Sequence, residues 1–119
     1  MRRVRAGLGV IAALLVAAPA AAPQDLSKMV EVRLYLDNDV ARVLLMTFPA
    51  GSASGWHSGP EHELGIVVEG ELTLETAVGR EVLGPGTVHW LPSQTRHDAR
   101  NETDRPARLW VILFKRTAP

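Results

Sequence analysis

The stretches GWHSGPEHELGIVVEG (residues 55–70) and GTVHWLPSQTRHDARN (residues 86–101) contain all four histidines of this 119-residue chain. The first stretch ends in an apolar run over residues 64–68, followed by Glu69 and Gly70, and the second begins at Gly86, the last residue of the tight connection Gly84-Pro85-Gly86. A lone histidine is usually an ordinary surface or core residue. Histidines at fixed distances from turn-forming glycines and a proline are more informative, because such spacing can form a motif that places the histidines at a functional site.

Short strands are predicted on both sides of these stretches. Apolar and branched residues alternate or run together over residues 31–36, 40–48, 64–68, 72–74, 87–91 and 108–115, with turn residues between them. Strands recur at this spacing, and no segment after residue 20 keeps a helical period of apolar residues. This pattern indicates an all-β sandwich or barrel. Residues 64–68 and 109–114 are apolar on both faces, so a second sheet or a partner subunit should cover them.

Composition excludes several classes of site. The chain has no cysteine, which rules out disulfides, thiolate zinc sites, iron–sulfur clusters and a cysteine nucleophile. Thirteen basic and thirteen acidic residues give a formal charge of zero, whereas a nucleic-acid-binding protein would show a basic excess. With 22% charged and 46% hydrophobic residues, the chain is typical of a single globular domain.

The first residues have the pattern of a secretory signal peptide. A basic start over residues 1–5 precedes an alanine-rich apolar run and the small residues Ala18-Pro19-Ala20. The run is shorter than the roughly 20 residues of a membrane-spanning helix, so we expect cleavage after Ala20 and no stable membrane anchor. The mature chain would keep ten basic and thirteen acidic residues and reside in the periplasm or outside the cell.

The domain prediction follows from these boundaries. Residues 1–20 form the signal peptide, residues 21–48 the N-terminal strands, and residues 49–115 the core of a barrel that makes one domain with the N-terminal strands. A mature chain of this size has a limited core and no disulfides, so a homodimer is expected.

The two quoted stretches resemble the two motifs of the cupin family. The first motif is a histidine, a second histidine two residues on, a glutamate and a glycine, matched here by His57, Glu63 and Gly70. The second is a glycine, a proline, a glycine, a histidine and an asparagine, matched by Gly86, Pro92, His97 and Asn101. The resemblance implies a small antiparallel β-barrel of the jelly-roll type. It also implies a divalent metal ion inside the barrel, held by His57, Glu63 and His97.

The sequence departs from the motifs at two positions. Gly59 stands where the second metal-binding histidine should be, and Gln94 replaces a turn glycine. Three outcomes are open at the site. In the first, the metal is held by His57, Glu63 and His97 alone, because two imidazoles and one carboxylate suffice for non-haem iron. In the second, His62 turns inward and replaces the missing ligand. In the third, the site holds no metal because Gly59 marks its loss.

The functional expectation follows from the resemblance. Iron(II) or manganese is the first choice of metal, and zinc or nickel fits the same donor types. Trp56 and His89 are the predicted pocket residues, and the sequence assigns no catalytic residue. A small-molecule enzyme of the oxygenase branch is the leading hypothesis, and a metal-free binding or structural module is the alternative.

Overall fold

A computed structural model describes residues 26–116, and the predicted signal peptide lies outside them. A single 3-10 turn, Leu26–Lys28, precedes eight strands. The strands are β1 (Glu31–Asp37), β2 (Ala41–Phe48), β3 (His62–Glu69), β4 (Leu72–Thr76), β5 (Gly79–Leu83), β6 (Val88–Leu91), β7 (His97–Arg100) and β8 (Ala107–Phe114). In this part of the chain no helix has the length and apolar character needed to cross a membrane.

The strands form two antiparallel sheets. One has five strands in the order β1-β2-β8-β3-β6, and the other has three in the order β5-β4-β7. The all-β jelly-roll prediction is confirmed. Strand β7 was not predicted. The turn between β4 and β5 lies at residues 77–78.

The core lies between the two sheets. It consists of buried side chains from both of them: Phe48, Val67, Leu72, Leu74, Leu83, Leu91, Ala107, Leu109 and Val111. Because successive strand residues point to opposite faces, the odd-numbered positions of β3 and β6 share this inner face. Two positions that this rule turns inward, Glu63 and His89, are polar, and they mark the site.

The outer face of the five-stranded sheet is also apolar. It carries Leu64, Ile66, Trp90, Trp110, Ile112 and Phe114, which stand opposite one another across β3, β6 and β8. Trp90 is half exposed and packs against Phe114. The apolar second face expected for β3 and β8 is therefore present in the structure.

Gly70 and Asn101, which end the two motifs, have structural roles. Gly70 has a φ of 75°, and a β-carbon there would come closer than 3.0 Å to the Pro106 carbonyl oxygen. The buried Asn101 amide nitrogen donates to the carbonyl oxygens of Phe48 and Arg105, at 2.9 and 2.6 Å. These contacts fix the connections at the ends of β2 and β3 and so help to position the segment that follows β2.

Gln94 adopts the backbone conformation that the missing glycine would favour. Its φ of 66° is the left-handed region, which costs a side-chain-bearing residue about 1–2 kcal/mol. Part of this strain is offset because glycine loses more backbone entropy on folding. We expect Gln94→Gly to raise the free energy of unfolding by about 0.5–1 kcal/mol. Urea denaturation should detect this, and a destabilised variant would contradict it.

Candidate functional site

Four polar side chains meet at the inner face of the barrel. Glu63 comes from β3, His89 from β6 and His97 from β7, while His57 lies on the segment that runs beside β7. His89 and His97 are buried at 8% and 6% exposure. The structure thus brings together the three predicted metal ligands and one of the two predicted pocket residues.

Backbone pairing places His57 next to His97. Each residue donates its amide hydrogen to the carbonyl oxygen of the other at 2.9 Å, and their ring centroids lie 4.2 Å apart. The same segment continues along β7, where the Ser54 amide donates to the Ala99 carbonyl oxygen. The imidazole of the first motif is therefore carried by a segment that pairs with the strand of the second motif.

Both of these imidazoles are oriented in the same way. Nδ1 of His57 lies 2.8 Å from the Gly55 carbonyl oxygen, and Nδ1 of His97 lies 2.8 Å from the Thr95 carbonyl oxygen. A carbonyl oxygen only accepts, so each Nδ1 carries the hydrogen and each Nε2 keeps its lone pair. Metal-binding histidines typically have this arrangement, in which the second ring nitrogen donates to a fixed acceptor.

Glu63 connects the remaining two histidines. Its Oε2 accepts a hydrogen bond from His89 Nε2 at 3.2 Å, and its Oε1 lies 3.9 Å from His97 Nε2. His89 Nδ1 is buried with no hydrogen-bond partner among the described residues. One carboxylate oxygen is thus held by His89, and the other faces His97.

Gly65 makes room for the His89 ring. The two residues stand opposite each other in the β3–β6 pairing. A β-carbon on Gly65 would come closer than 3.0 Å to three atoms of the imidazole. The absence of a side chain at Gly65 therefore lets His89 reach Glu63.

Two neighbouring cavities adjoin the cluster, and His57, Glu63 and His97 line both of them. The inner cavity encloses about 410 Å³, part of it open to solvent, and its remaining lining is mostly apolar. The second, which we call the mouth cavity, has about 630 Å³ of space, part of it open to solvent, and is also lined by Gly59 and Glu61. The described residues around the mouth cavity include two carboxylates and no lysine or arginine.

Glu61 was not identified from the sequence. It lies in the bend before β3, where strand alternation does not apply, so no pattern in the sequence indicated it. The motif comparison directed attention to Gly59 instead. In the structure, a β-carbon on Gly59 would lie 3.5 Å from Glu61 Oε1.

His62 and Trp56 lie away from the cluster. His62 stacks on Trp90 at the outer face of the sheet, with a centroid distance of 5.4 Å, and its Nδ1 accepts the Ser93 amide hydrogen at 2.9 Å. It is half-buried rather than fully solvated. Trp56 is 43% exposed, lies beside the Arg96 guanidinium, and is not among the residues that line the inner and mouth cavities.

The donor set fits a divalent ion in type and orientation. Residues 26–116 contain no group of three or more such side chains that could hold an ion as they stand. Neighbouring ligands at about 2.1 Å from one ion lie about 3.0–3.4 Å apart, so the 3.9 Å between Glu63 Oε1 and His97 Nε2 would need to shorten by about half an ångström when an ion binds. The free Nε2 atoms of His57 and His97 supply the nitrogen donors that such an ion prefers.

Comparison with known proteins identifies relatives of this chain. The family model described as a cupin domain matches residues 44–113. A search of the curated proteins finds no match. Among solved structures, a cupin domain from Bordetella pertussis is 26% identical, with a TM-score of 0.64, over 73% of this chain and 94% of that one.

Two further structures share the fold. A cupin superfamily protein from Desulfitobacterium hafniense is 15% identical, with a TM-score of 0.70, over 79% of this chain and 84% of that one. A predicted oxalate decarboxylase from Thermotoga maritima is 21% identical, with a TM-score of 0.66, over 71% of this chain and 79% of that one.

Proposed function

Because this chain belongs to the cupin domain family, we propose that it holds a divalent metal ion through His57, Glu63 and His97 and acts on a small molecule in the adjoining cavity. The observation that carries the proposal is the matched orientation of His57 and His97, whose Nδ1 hydrogens are bound to backbone carbonyls. That orientation leaves both Nε2 lone pairs free to bind an ion, and His97 Nε2 lies 3.9 Å from Glu63 Oε1.

Each residue of the cluster has a separate task in this proposal. His57 and His97 supply neutral nitrogen donors, and Glu63 supplies the negative charge. His89 holds the second oxygen of Glu63 and so fixes the direction of the first. A bound iron(II) or manganese ion would polarise a substrate oxygen and, in an oxygenase, activate oxygen.

The cavities restrict the substrate class. The inner cavity presents mainly aliphatic side chains beyond the polar cluster, among them Met46, Leu72 and Val111. A small molecule with an apolar body and one oxygen-bearing end matches this lining, because the body would be desolvated and the oxygen would face the cluster. The predicted oxalate decarboxylase from Thermotoga maritima shows that enzymes have been inferred on this fold, but the fold alone does not assign a reaction.

Metal analysis and oxygen uptake test the proposal together. Protein purified without a histidine tag should contain about one metal ion per chain. Binding should weaken as the pH falls, because protonated imidazoles cannot coordinate. Chelation should abolish turnover of any substrate found by oxygen-uptake screening. A chain that stays empty after incubation with iron, manganese, nickel and zinc would contradict the proposal.

A metal-free binding module is the second candidate. Two observations favour it: Gly59 stands at a ligand position, and one oxygen of Glu63 already has a protein partner in His89. In that case His57, Glu63 and His97 would bind a polar ligand by hydrogen bonds. Ligand affinity would then survive chelation, whereas the metal-dependent function would not.

We also propose secretion and self-association. Secretion rests on the leader pattern of residues 1–20, and recovery from the periplasm of a chain that begins after Ala20 would test it. A second copy is the proposed cover for the outer face of the five-stranded sheet, because a two-fold contact opposes the same apolar surface. Light scattering of the mature protein should find a dimer, and a monomer at all concentrations would contradict it.

A further inference from the structure

The mouth cavity contains a carboxylate that the sequence motifs do not account for. Glu61 lines it together with His57, Gly59, Glu63 and His97. Its side chain is half-buried and has no hydrogen-bond or ion-pair partner within residues 26–116. A partly buried, unpaired carboxylate is uncommon, since buried charge is normally matched by a cation or a metal ion.

Its position coincides with the region that a side chain at residue 59 would occupy. A β-carbon on Gly59 would lie 3.5 Å from Glu61 Oε1, which is ordinary van der Waals contact, and it would meet no other residue within 4 Å. The space that a histidine would enter at position 59 is therefore next to the carboxylate of Glu61.

We propose that Glu61 is the fourth metal ligand of this chain, taking the place that Gly59 leaves without a donor. The inference rests on the proposed metal-binding function and specifies the ligand set. Glu61 lies in the bend that immediately precedes β3, and Glu63 is the second residue of that strand. Both line the mouth cavity, whereas His62 between them stacks on Trp90 at the outer face.

The proposed ligand set has two imidazoles and two carboxylates. Two carboxylates neutralise a divalent ion, and the described lining of the mouth cavity holds no lysine or arginine to compete for them. Carboxylate oxygens bind manganese and iron(II) more favourably than they bind softer metal ions. We therefore expect the site to favour manganese over zinc more than a three-histidine site would.

Titration calorimetry with manganese and zinc on the mature chain tests the proposal. Glu61→Gln keeps the shape of the side chain but removes its charge, and we expect it to weaken manganese binding by about tenfold or more. Glu71→Gln is the matched control, because Glu71 is an exposed glutamate in the β3–β4 turn. It should leave the affinity unchanged.

The double variant Gly59→His/Glu61→Gln provides a rescue. A β-carbon at position 59 makes only ordinary van der Waals contact, and Gly59 is not among the positive-φ glycines. Metal affinity should therefore return in the double variant, with the preference shifted toward zinc. The metal-induced rise in melting temperature should follow the same order as the affinities. Unchanged manganese binding in Glu61→Gln would overturn the role of Glu61 and leave the proposed function standing. No binding by the wild-type chain would overturn both.

Discussion

Replacing both His57 and His97 by alanine will leave a folded protein without bound metal. Both side chains are proposed donors, and the carboxylates that remain, Glu63 and the proposed fourth ligand Glu61, should hold a divalent ion far more weakly than the complete set does. His57 is exposed, so its loss removes little packing. His97 is buried, so its truncation should account for most of the decrease in the free energy of unfolding. Mass spectrometry of the purified proteins should find about one ion per wild-type chain and almost none in the variant.

His62→Ala is the matched control for this experiment. His62 is the histidine on the outer face, where its Nδ1 accepts the Ser93 amide hydrogen. Its removal should reduce stability modestly and leave metal content unchanged. Metal retained by the His57/His97 variant, or lost from His62→Ala, would contradict the assignment of the ligands. Circular dichroism on each variant separates loss of ligands from loss of folding.

Gly65→Ala should displace the His89 ring and destabilise the fold. The added methyl would come closer than 3.0 Å to three imidazole atoms, and His89 is too buried to move aside freely. Overpacking of this kind typically costs about 1–3 kcal/mol. The displaced ring would also release Glu63 Oε2, so metal affinity should fall with stability. Denaturant unfolding and manganese titration measure the two effects.

A double-mutant cycle isolates the cause of the Gly65→Ala effect. His89→Ala removes the ring that the methyl would meet, so adding Gly65→Ala to it should cost much less than in the wild-type chain. Equal costs in both backgrounds would mean that the strain lies in the backbone of β3 rather than in the ring contact. That result would contradict the role given to Gly65.

The fold was predictable from local patterns, with one informative omission. Most strands were found because apolar residues alternate or run together between turn residues. Strand β7 was missed because its four residues, HDAR, have no apolar pattern. Its strand conformation depends instead on pairing with neighbouring segments along both of its edges. Asp98 is buried and accepts the Gly55 amide hydrogen, while β4 pairs along the other edge. Such long-range pairing leaves no signal in the strand itself.

The site was predictable only as far as the motifs extend. His57, Glu63 and His97 were named from spacing in a family pattern, and the structure brings them together. His89 could be placed near them through strand alternation. Glu61 was missed because it lies between two motif positions and gains its interest from Gly59, a neighbour in space. Trp56 was named for its adjacency to His57, although adjacent residues on extended chain point in opposite directions.

The reciprocal hydrogen bonds between His57 and His97 couple the ligand set to local opening of the barrel. If the segment carrying His57 detaches from β7, both amide hydrogens become free to exchange with solvent, and the two imidazoles separate. An ion that binds both rings binds only the closed form, so its binding free energy adds to the cost of detachment. Exchange of these two amides would then slow in proportion to metal occupancy, even where global unfolding is too rare to observe. Exchange of the two backbone amides would therefore measure how much of the site is occupied by metal.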